Sequence, residues 1–415
     1  MSKVEEDGVG RLLGTIQHYA WGGHDFIPNL LGLPSESGMP YAEYWLGAHD
    51  TASSRMLYDD GTTSVLNDVI RERPASTLGP YVARRFGRLP FLLKVLDVRE
   101  MLSIQVHPAK TAAVQGFARE NELGIPLHSP ERNYRDDNYK TELEVALSDF
   151  WLLHGFRPVE QMREILNQVP EFHSFRPIFE RGSYFGLYRH VMEMPRQLVS
   201  VLLCTLVVRI LPQFASGALV ESSPDYWTAK AVQGKQVEEY DRGLFSIYFF
   251  NLIRLKRGQA TFQDAGIPHA YLQGQAIEVM ANSDNVIRGG LTPKHVDVPE
   301  LLRLIRCEGG FPEIIEGRSC GNPHEAYYVS PGHDFCLSKI HLNPGDLYEH
   351  TASSIEILLA YNGEATLDSD EEQMPLKKGE SLVVFAGTHY RMTSLSEHTL
   401  LFRTSVPIGG ADPRS

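Results

Sequence analysis

Cysteine is scarce: four residues (Cys204, Cys307, Cys320 and Cys336) stand in a chain of 415, with no Cys-x-x-Cys pair and no framework spacing. That excludes a disulfide-stapled scaffold and places reduced thiols in a cytoplasmic setting as the expectation. Positive charge is also short. Lys and Arg number 39 against 52 Asp and Glu, a net charge of −13, so the basic field of a general nucleic-acid or membrane-surface binder is missing. An anionic ligand would need a local cluster of Arg and Lys set against the global field. Apolar runs are brief. VSVLLCTLVV, within Leu198 to Leu211, is closed by Arg209 and Pro212 well short of a membrane span and reads as a buried helix or strand. MSKVEEDGVG carries no apolar core of a signal peptide, and GVGRLLG lacks both the spacing and the preceding strand of a phosphate loop.

The remainder has the composition of a soluble globular protein, 42% hydrophobic and 22% charged, with length for two or three domains. Its organising stretch is Ala265 to Lys294, AGIPHAYLQGQAIEVMANSDNVIRGGLTPK. Gly266 and Pro268 set a turn that leaves His269 and Tyr271 on one face of the following strand. Glu278 and Asp284 follow among small and apolar residues, then Arg288 before a Gly-Gly pair and Lys294 after a Thr-Pro turn. So many polar types beside so many backbone constraints mark an active-site segment more than a hydrogen-bonded core turn.

MLSIQVH alternates apolar Leu102, Ile104 and Val106 with polar Ser103, Gln105 and His107, the pattern of a half-buried strand. Residues two apart on a strand lie roughly 6.6–6.8 Å apart on one face, so Gln105 and His107 can both reach one small ion. Ser103 and Lys110 flank them. A second period-two segment, NYRDDNYKTELEVAL, sets Lys140 two residues before Glu142. Taken alone it is a surface salt-bridge strand. With Gln105, His107 and His269, Glu142 completes a set of two imidazoles, one carboxylate and one amide, which suits zinc or another divalent first-row metal. Upstream, IQHYAWGG and YAEYWLGAHDTASSR hold Trp21, Glu43, Trp45 and His49 among glycine turns, either as aromatic core or as pocket wall.

LSIQVHPAK, KTELEVAL, AEYWLGAHDTASSR and the whole Ala265 to Lys294 block resemble the motifs of the type I phosphomannose isomerase family, with matching blocks from Ile16 to Leu301. By that resemblance the zinc ligands fall on Gln105, His107, Glu142 and His269, one ion per chain, and the catalytic arginine on Arg288. Pocket positions fall on Trp21, Glu43, Lys94, Ser103, Lys110, Lys140, Tyr271, Glu278, Asp284 and Lys294. The chain departs from the family at Tyr139-Lys140-Thr141-Glu142, where the usual reading is His-Lys-Pro-Glu, and at His18, where Asn is usual.

From Phe156 to Arg242 the periodicity becomes helical, which resembles the family's helical insertion; packing is the expected role of His154, His173 and His190. Beyond Gly317, FCLSKIHL, SIEILLAY, ESLVVFAG and HTLLFRTS are short strands between Gly, Asn and Pro turns. An internal repeat joins the two β regions: KRGQATFQDAGIPH and KKGESLVVFAGTH align His269 with His389. Near the second copy Glu349 and His350 are adjacent and point to opposite faces, so no second metal site is expected there. The expected architecture is mainly β with a helical insertion: two cupin-type (jelly-roll) β-barrels plus an α-helical domain. Residues 11–155 and 243–316 form the metal-binding barrel, 156–242 the insertion and 317–411 the degenerate barrel.

The resemblance implies interconversion of mannose 6-phosphate and fructose 6-phosphate through an enediol. Ser103, Lys110, Lys294 and Arg288 are the candidates for the phosphate, and Lys140 or Glu278 for the proton-transfer base. A cupin oxygenase, another sugar isomerase, or a non-catalytic sugar-phosphate sensor are the alternatives. Gln105 in a histidine's place speaks against the first, and the retained Arg288 and ligand set against the last. A cytoplasmic monomer acting on a small sugar phosphate is expected, with no nucleic-acid or membrane partner.

Overall fold

The computed structural model describes residues 8–369 and 373–408. The N-terminal residues 1–7 and residues 409–411 of the expected C-terminal domain lie outside them. The structure is β-rich with a helical insertion, as the resemblance implied. One strand, His269–Ala281, joins two sheets by bending in the middle. Its second half pairs with Phe91–Val98 on one side and Glu142–Ala146 on the other. Its first half pairs with Ile104–Val106 and Phe150–Phe156. The bend falls at a register shift between Tyr271 and Gln273, next to Gly274. Gly274 has φ +127°, and a Cβ there would lie 2.5 Å from the Asp149 carbonyl oxygen, so only glycine turns this corner without strain.

Period-two alternation then sorts the side chains. Phe91, Leu93, Val95, Leu143, Val145, Ile277 and Val279 face the apolar layer between the two β regions. On the opposite face lie Lys94, Glu144 and Glu278, in register across three strands. This polar row has an apolar floor of Leu96, Val98, Ala146, Phe150, Leu152 and Ala276, and Trp45, Leu92 and Met280 on its other side. Ile104 and Val106 turn the other way, into an aromatic-rich core with Phe172, Phe175, Trp227 and Phe249 of the helical part. Each such side chain contributes about 1.5–3 kcal/mol by leaving water, which holds the Gln105–His107 strand against the insertion.

The insertion comprises helices Val159–Gln168, Arg176–Glu193, Arg196–Ala215 and Pro224–Val232. One expectation is corrected here. VSVLLCTLVV is helical, one of the two forms expected, but it is not buried all round, and Arg209 and Pro212 do not close the helix. Its helix runs through Pro212 to Ala215 and packs one face through Val199, Leu203, Leu206, Val207 and Ile210, while Leu198, Val201 and Val208 remain exposed. By length and composition it is apolar enough to cross a membrane, with 28% of that stretch buried. Arg209 does not end it because Glu171 and Asp225 hold its guanidinium at 3.0 and 3.3 Å.

The C-terminal strands Cys336–Leu342, Glu356–Asn362, Ser381–Val384 and Thr399–Ser405 form a sheet that also takes up Val9–Leu13 and Arg55–Leu57 from the start of the chain. A separate four-stranded sheet faces it over a core of Ile340, Leu358, Leu367, Leu382 and Met392. The polar end of this interior is closed by its own side chains. Arg403 lies between Glu325 at 2.7 Å and Glu356 at 2.5 Å, with His350, Tyr348 and Tyr390 bonded to the same two carboxylates.

The repeat is visible in the backbone: Gly258 and Gly379 have φ +86° and +84°, and Gly266 and Gly387 have +81° and +90°. The repeated histidines nevertheless diverge. His269 is buried, whereas His389 is part-exposed and bonded to Glu349 and Thr351, each at 3.1 Å. Replacing His389 by alanine is expected to leave turnover and metal content unchanged and to shift stability by no more than about 1 kcal/mol, as for an exposed ion pair. Loss of activity with metal retained would contradict that.

Candidate metal centre and active site

His107 follows the strand Ile104–Val106, Glu142 opens Glu142–Ala146 and His269 opens His269–Ala281. The three converge. His107 Nε2 lies 3.3 Å from Glu142 Oε1, and His269 Nε2 lies 3.3 Å from Glu142 Oε2. All are buried, and their ligand atoms lie within 4.8 Å of one another. Each imidazole is oriented through its other nitrogen: His107 Nδ1 donates to the Asn285 carbonyl at 3.0 Å and His269 Nδ1 to the Ile267 carbonyl at 3.1 Å. A carbonyl only accepts, so both protons sit on Nδ1 and both Nε2 atoms present lone pairs to the centre. Neither Nε2 has a hydrogen-bond partner. Two buried, unpartnered lone pairs facing a carboxylate are costly in themselves, and a divalent cation relieves all three at once. The site fits a metal.

The charge states agree. Burial, with Lys140 nearby, lowers the His107 imidazolium to about pKa 4, so the ring is neutral at physiological pH. Burial would raise Glu142, but the Lys140 ammonium bonded to it holds it well below the carboxylate range. Tyr271 braces the same carboxylate at 3.2 Å and Glu144 at 2.6 Å. Gln105 lies directly across from His269 on one side and Arg288 on the other. Opposed residues of antiparallel strands share a face, which puts its amide beside both.

Next to this centre is a charged row. Lys94 pairs with Glu278 at 2.6 Å, approaches Glu43 at 4.0 Å and lies over the Trp45 ring at 5.2 Å. Burial alone would lower the Lys94 ammonium, but Glu278, Glu43 and Glu142 together raise it. Glu278 is raised by burial and by Glu142 against the pull of Lys94. Glu144 is raised well above its usual range by burial, Glu278 and Glu142. The mouth of the site is cationic instead. Arg288 is lowered by burial and then by Arg135, and Lys294 by burial, Arg288 and Arg135. The carboxylates of the same segment as Arg288 are engaged elsewhere: Asp284 with His49 at 3.4 Å and Glu278 with Lys94.

The remaining expected residues are more scattered. Lys110 reaches Asn138 at 3.3 Å and Asp137 at 3.7 Å, at the start of its helix. Ser103 is half-buried ahead of the strand that holds Gln105. Trp21 stacks on Tyr19 at 5.9 Å and packs against the apolar floor beneath Tyr271. Tyr139 faces away from the centre and donates to Asp334 of the C-terminal part at 2.6 Å. His18 is bonded to the Pro40 carbonyl at 2.7 Å. His154 is corrected: it does not pack helices but sits in the sheet directly beside His269, its Nε2 bonded to the Phe262 carbonyl at 3.2 Å.

Several contributors were not anticipated. Glu144 continues the alternation of Lys140 and Glu142, a signal present in KTELEVA. Gln263, fully buried with both amide atoms unpartnered, lies across from Glu142, and its alternation with Thr261 was equally readable. Tyr19, influenced by Glu43, Lys94, Asp284 and Arg135, and Arg135 itself had no local signal.

A β-rich scaffold with a buried two-histidine, one-carboxylate centre and a cationic mouth defines a metal-dependent enzyme acting on a small anionic substrate. Residues 9–159 match the phosphomannose isomerase type I catalytic domain. The chain is 37% identical over 385 residues to the mannose-6-phosphate isomerase of Salmonella typhimurium, covering 91% of this chain and 94% of that one. It is 33% identical over 407 residues to that of Homo sapiens, covering 90% and 92%. A crystal structure of the Salmonella typhimurium enzyme bound to fructose 6-phosphate and zinc superposes with a TM-score of 0.86 at 33% identity, over 97% of this chain and all of that one. The chain belongs to the type I phosphomannose isomerase family.

Proposed function

We propose that this chain is a zinc-dependent aldose–ketose isomerase that interconverts mannose 6-phosphate and fructose 6-phosphate through an enediol. The observation that carries this reading is the pair of buried, unpartnered imidazole nitrogens facing an ionised Glu142. Gln105, His107, Glu142 and His269 would hold one zinc per chain, and the bound ion supplies a Lewis acid for the charge that develops on the O1/O2 oxygens.

The residues divide the remaining work. Isomerisation takes a proton from C2 and returns one to C1, while a hydroxyl proton is lost at O2 and gained at O1. Glu278 and Lys140 are the groups assigned to the carbon-bound proton. Glu278 is assigned first, because burial and Glu142 raise its proton affinity and Lys140 is engaged with a metal ligand. Lys94, ion-paired to Glu278, orients that carboxylate. Lys294 and Arg135 bind the phosphate, with Ser103 and Lys110 on the flank. Arg288, anchored opposite Gln105, stabilises the enediolate. Tyr271 positions Glu142; Trp21, Glu43 and Asp284 line the pocket. In this reading two cupin-type barrels share the chain, one with metal, and the enzyme is a cytoplasmic monomer.

A coupled assay on purified protein tests the proposal. Mannose 6-phosphate is expected to be converted to fructose 6-phosphate, the activity to disappear with a chelator and to return with zinc. No conversion by zinc-replete protein would refute it.

A further inference from the structure

The segment that carries the cationic mouth has an unusual support. Arg288 is held by the sheet, as part of Ile287–Gly290 paired to Ile104–Val106. Past Gly290 that pairing ends, yet the chain must turn sharply to bring Lys294 back toward Arg288. It does so with Gly290 at φ +122° and Leu291 at φ +54°, the latter a conformation that leucine rarely adopts. Among the described residues only Ser183 is another non-glycine with positive φ. Such a turn persists only where the surroundings hold it.

The holding group is the Asp241 carboxylate. Its Oδ1 accepts from the Leu291 N–H at 2.9 Å and its Oδ2 from the Thr292 N–H at 2.9 Å. Oδ1 also accepts from Gly243 N–H at 2.6 Å, which fixes the carboxylate to its own segment. That segment is immobile in turn: Tyr240, Leu244 and Phe245 are buried in the aromatic core of the helical part, and Arg242 donates to the Met194 carbonyl at 2.6 Å. The two backbones touch through glycines. A Cβ on Gly243 would lie 2.3 Å from Leu291 N, and one on Gly290 would lie 2.6 Å from Gly243 Cα. A carboxylate is the strongest acceptor available for two adjacent backbone N–H groups, and its negative charge beside the turn costs nothing in repulsion with the nearby cations.

We infer that Asp241, at the end of the helical insertion, is a positioning residue that clamps the 289–294 turn and thereby sets Lys294 for phosphate binding. The inference rests on the reading of the mouth as a phosphate site. It assigns the helical insertion a part in substrate recognition: the insertion supplies the fixed post to which the phosphate loop is tied. Because Arg288 is held independently by the sheet, loss of the clamp acts on binding and not on the chemical step.

The test is Asp241→Asn, assayed as the zinc-loaded enzyme. Asparagine keeps one acceptor but turns an N–H donor toward Thr292 N–H. KM for mannose 6-phosphate and the inhibition constant for inorganic phosphate are expected to rise together by about tenfold, the scale of one lost hydrogen bond to a charged group. By the same reasoning kcat should stay within about threefold, with zinc content unchanged, since the sheet hydrogen bonds that hold Arg288 remain. Unchanged KM and phosphate inhibition overturn the inference, as does a fall in kcat and zinc content without the KM change. If wild-type enzyme neither turns over mannose 6-phosphate nor is inhibited by phosphate, the functional reading fails, and that outcome is distinct. Amide exchange on the wild-type holoenzyme reads the clamp without any substitution. The Leu291 and Thr292 N–H groups are expected to exchange slowly and more slowly still with inorganic phosphate. Fast exchange at both, or protection indifferent to phosphate, overturns the inference.

Discussion

Replacing His269 with alanine is expected to strip the metal from the enzyme and with it nearly all turnover. Of the three converging groups, His269 and His107 each present one lone pair, and Glu142 lies between them at 3.3 Å from both. Removing one imidazole from a set with a single formal charge leaves too few donors for tight zinc binding. The Lewis-acid contribution is worth several kcal/mol of transition-state stabilisation, so its loss corresponds to a fall of roughly 10³-fold or more in kcat. The fold is expected to survive, because Glu142 keeps the Lys140 ammonium as its partner and is not left as a bare buried charge. Metal analysis beside circular dichroism decides the matter. A folded His269→Ala protein that retains one zinc per chain would show that the ligand set is wrong.

What could be read from the sequence was what one strand or one turn carries. Alternation in MLSIQVH separates Gln105 and His107 from Ile104 and Val106, and the structure sends the first pair to the centre side and the second into the helical core. The same rule applied to KTELEVA would have found Glu144. Contacts between distant segments were not legible. Asp241 meets Leu291 across some fifty residues of sequence, Arg135 reaches the mouth through a loop tied down by Asn285, and Tyr139 turns to Asp334 in the C-terminal part. None of these has a period or a motif. The Arg196–Ala215 helix misled for a related reason: its composition is that of a buried element, but burial depends on what packs against it, and Leu198, Val201 and Val208 on one face are exposed. Helix and strand follow from local pattern, whereas the electrostatics of the site follow from the topology that bends His269–Ala281 across two sheets.

Arg288→Lys is expected to lower kcat by two or more orders of magnitude while leaving fold and zinc content intact. An internal ion pair for Arg288 would have to use Asp284 or Glu278, the acidic residues of its own segment. In the structure those carboxylates are taken by His49 and Lys94; Arg135 is the charge that acts on Arg288, and Arg288 acts in turn on Lys294. A part-buried guanidinium among cations is unfavourable without an anion, and the substrate supplies one. Its backbone is fixed opposite Gln105, beside the 289–294 turn, so it does not have to be ordered when the substrate arrives. Lysine retains the positive charge but has neither the planar fork nor the fixed donor geometry that meets charge spread over two oxygens. A single preorganised donor of this kind is worth roughly 10²–10³ in rate. Steady-state kinetics on Arg288→Lys distinguish the roles. A drop in kcat with KM nearly constant places the guanidinium on the enediolate, a rise in KM alone moves it to the phosphate, and wild-type values for both would leave Arg288 without a part in the reaction.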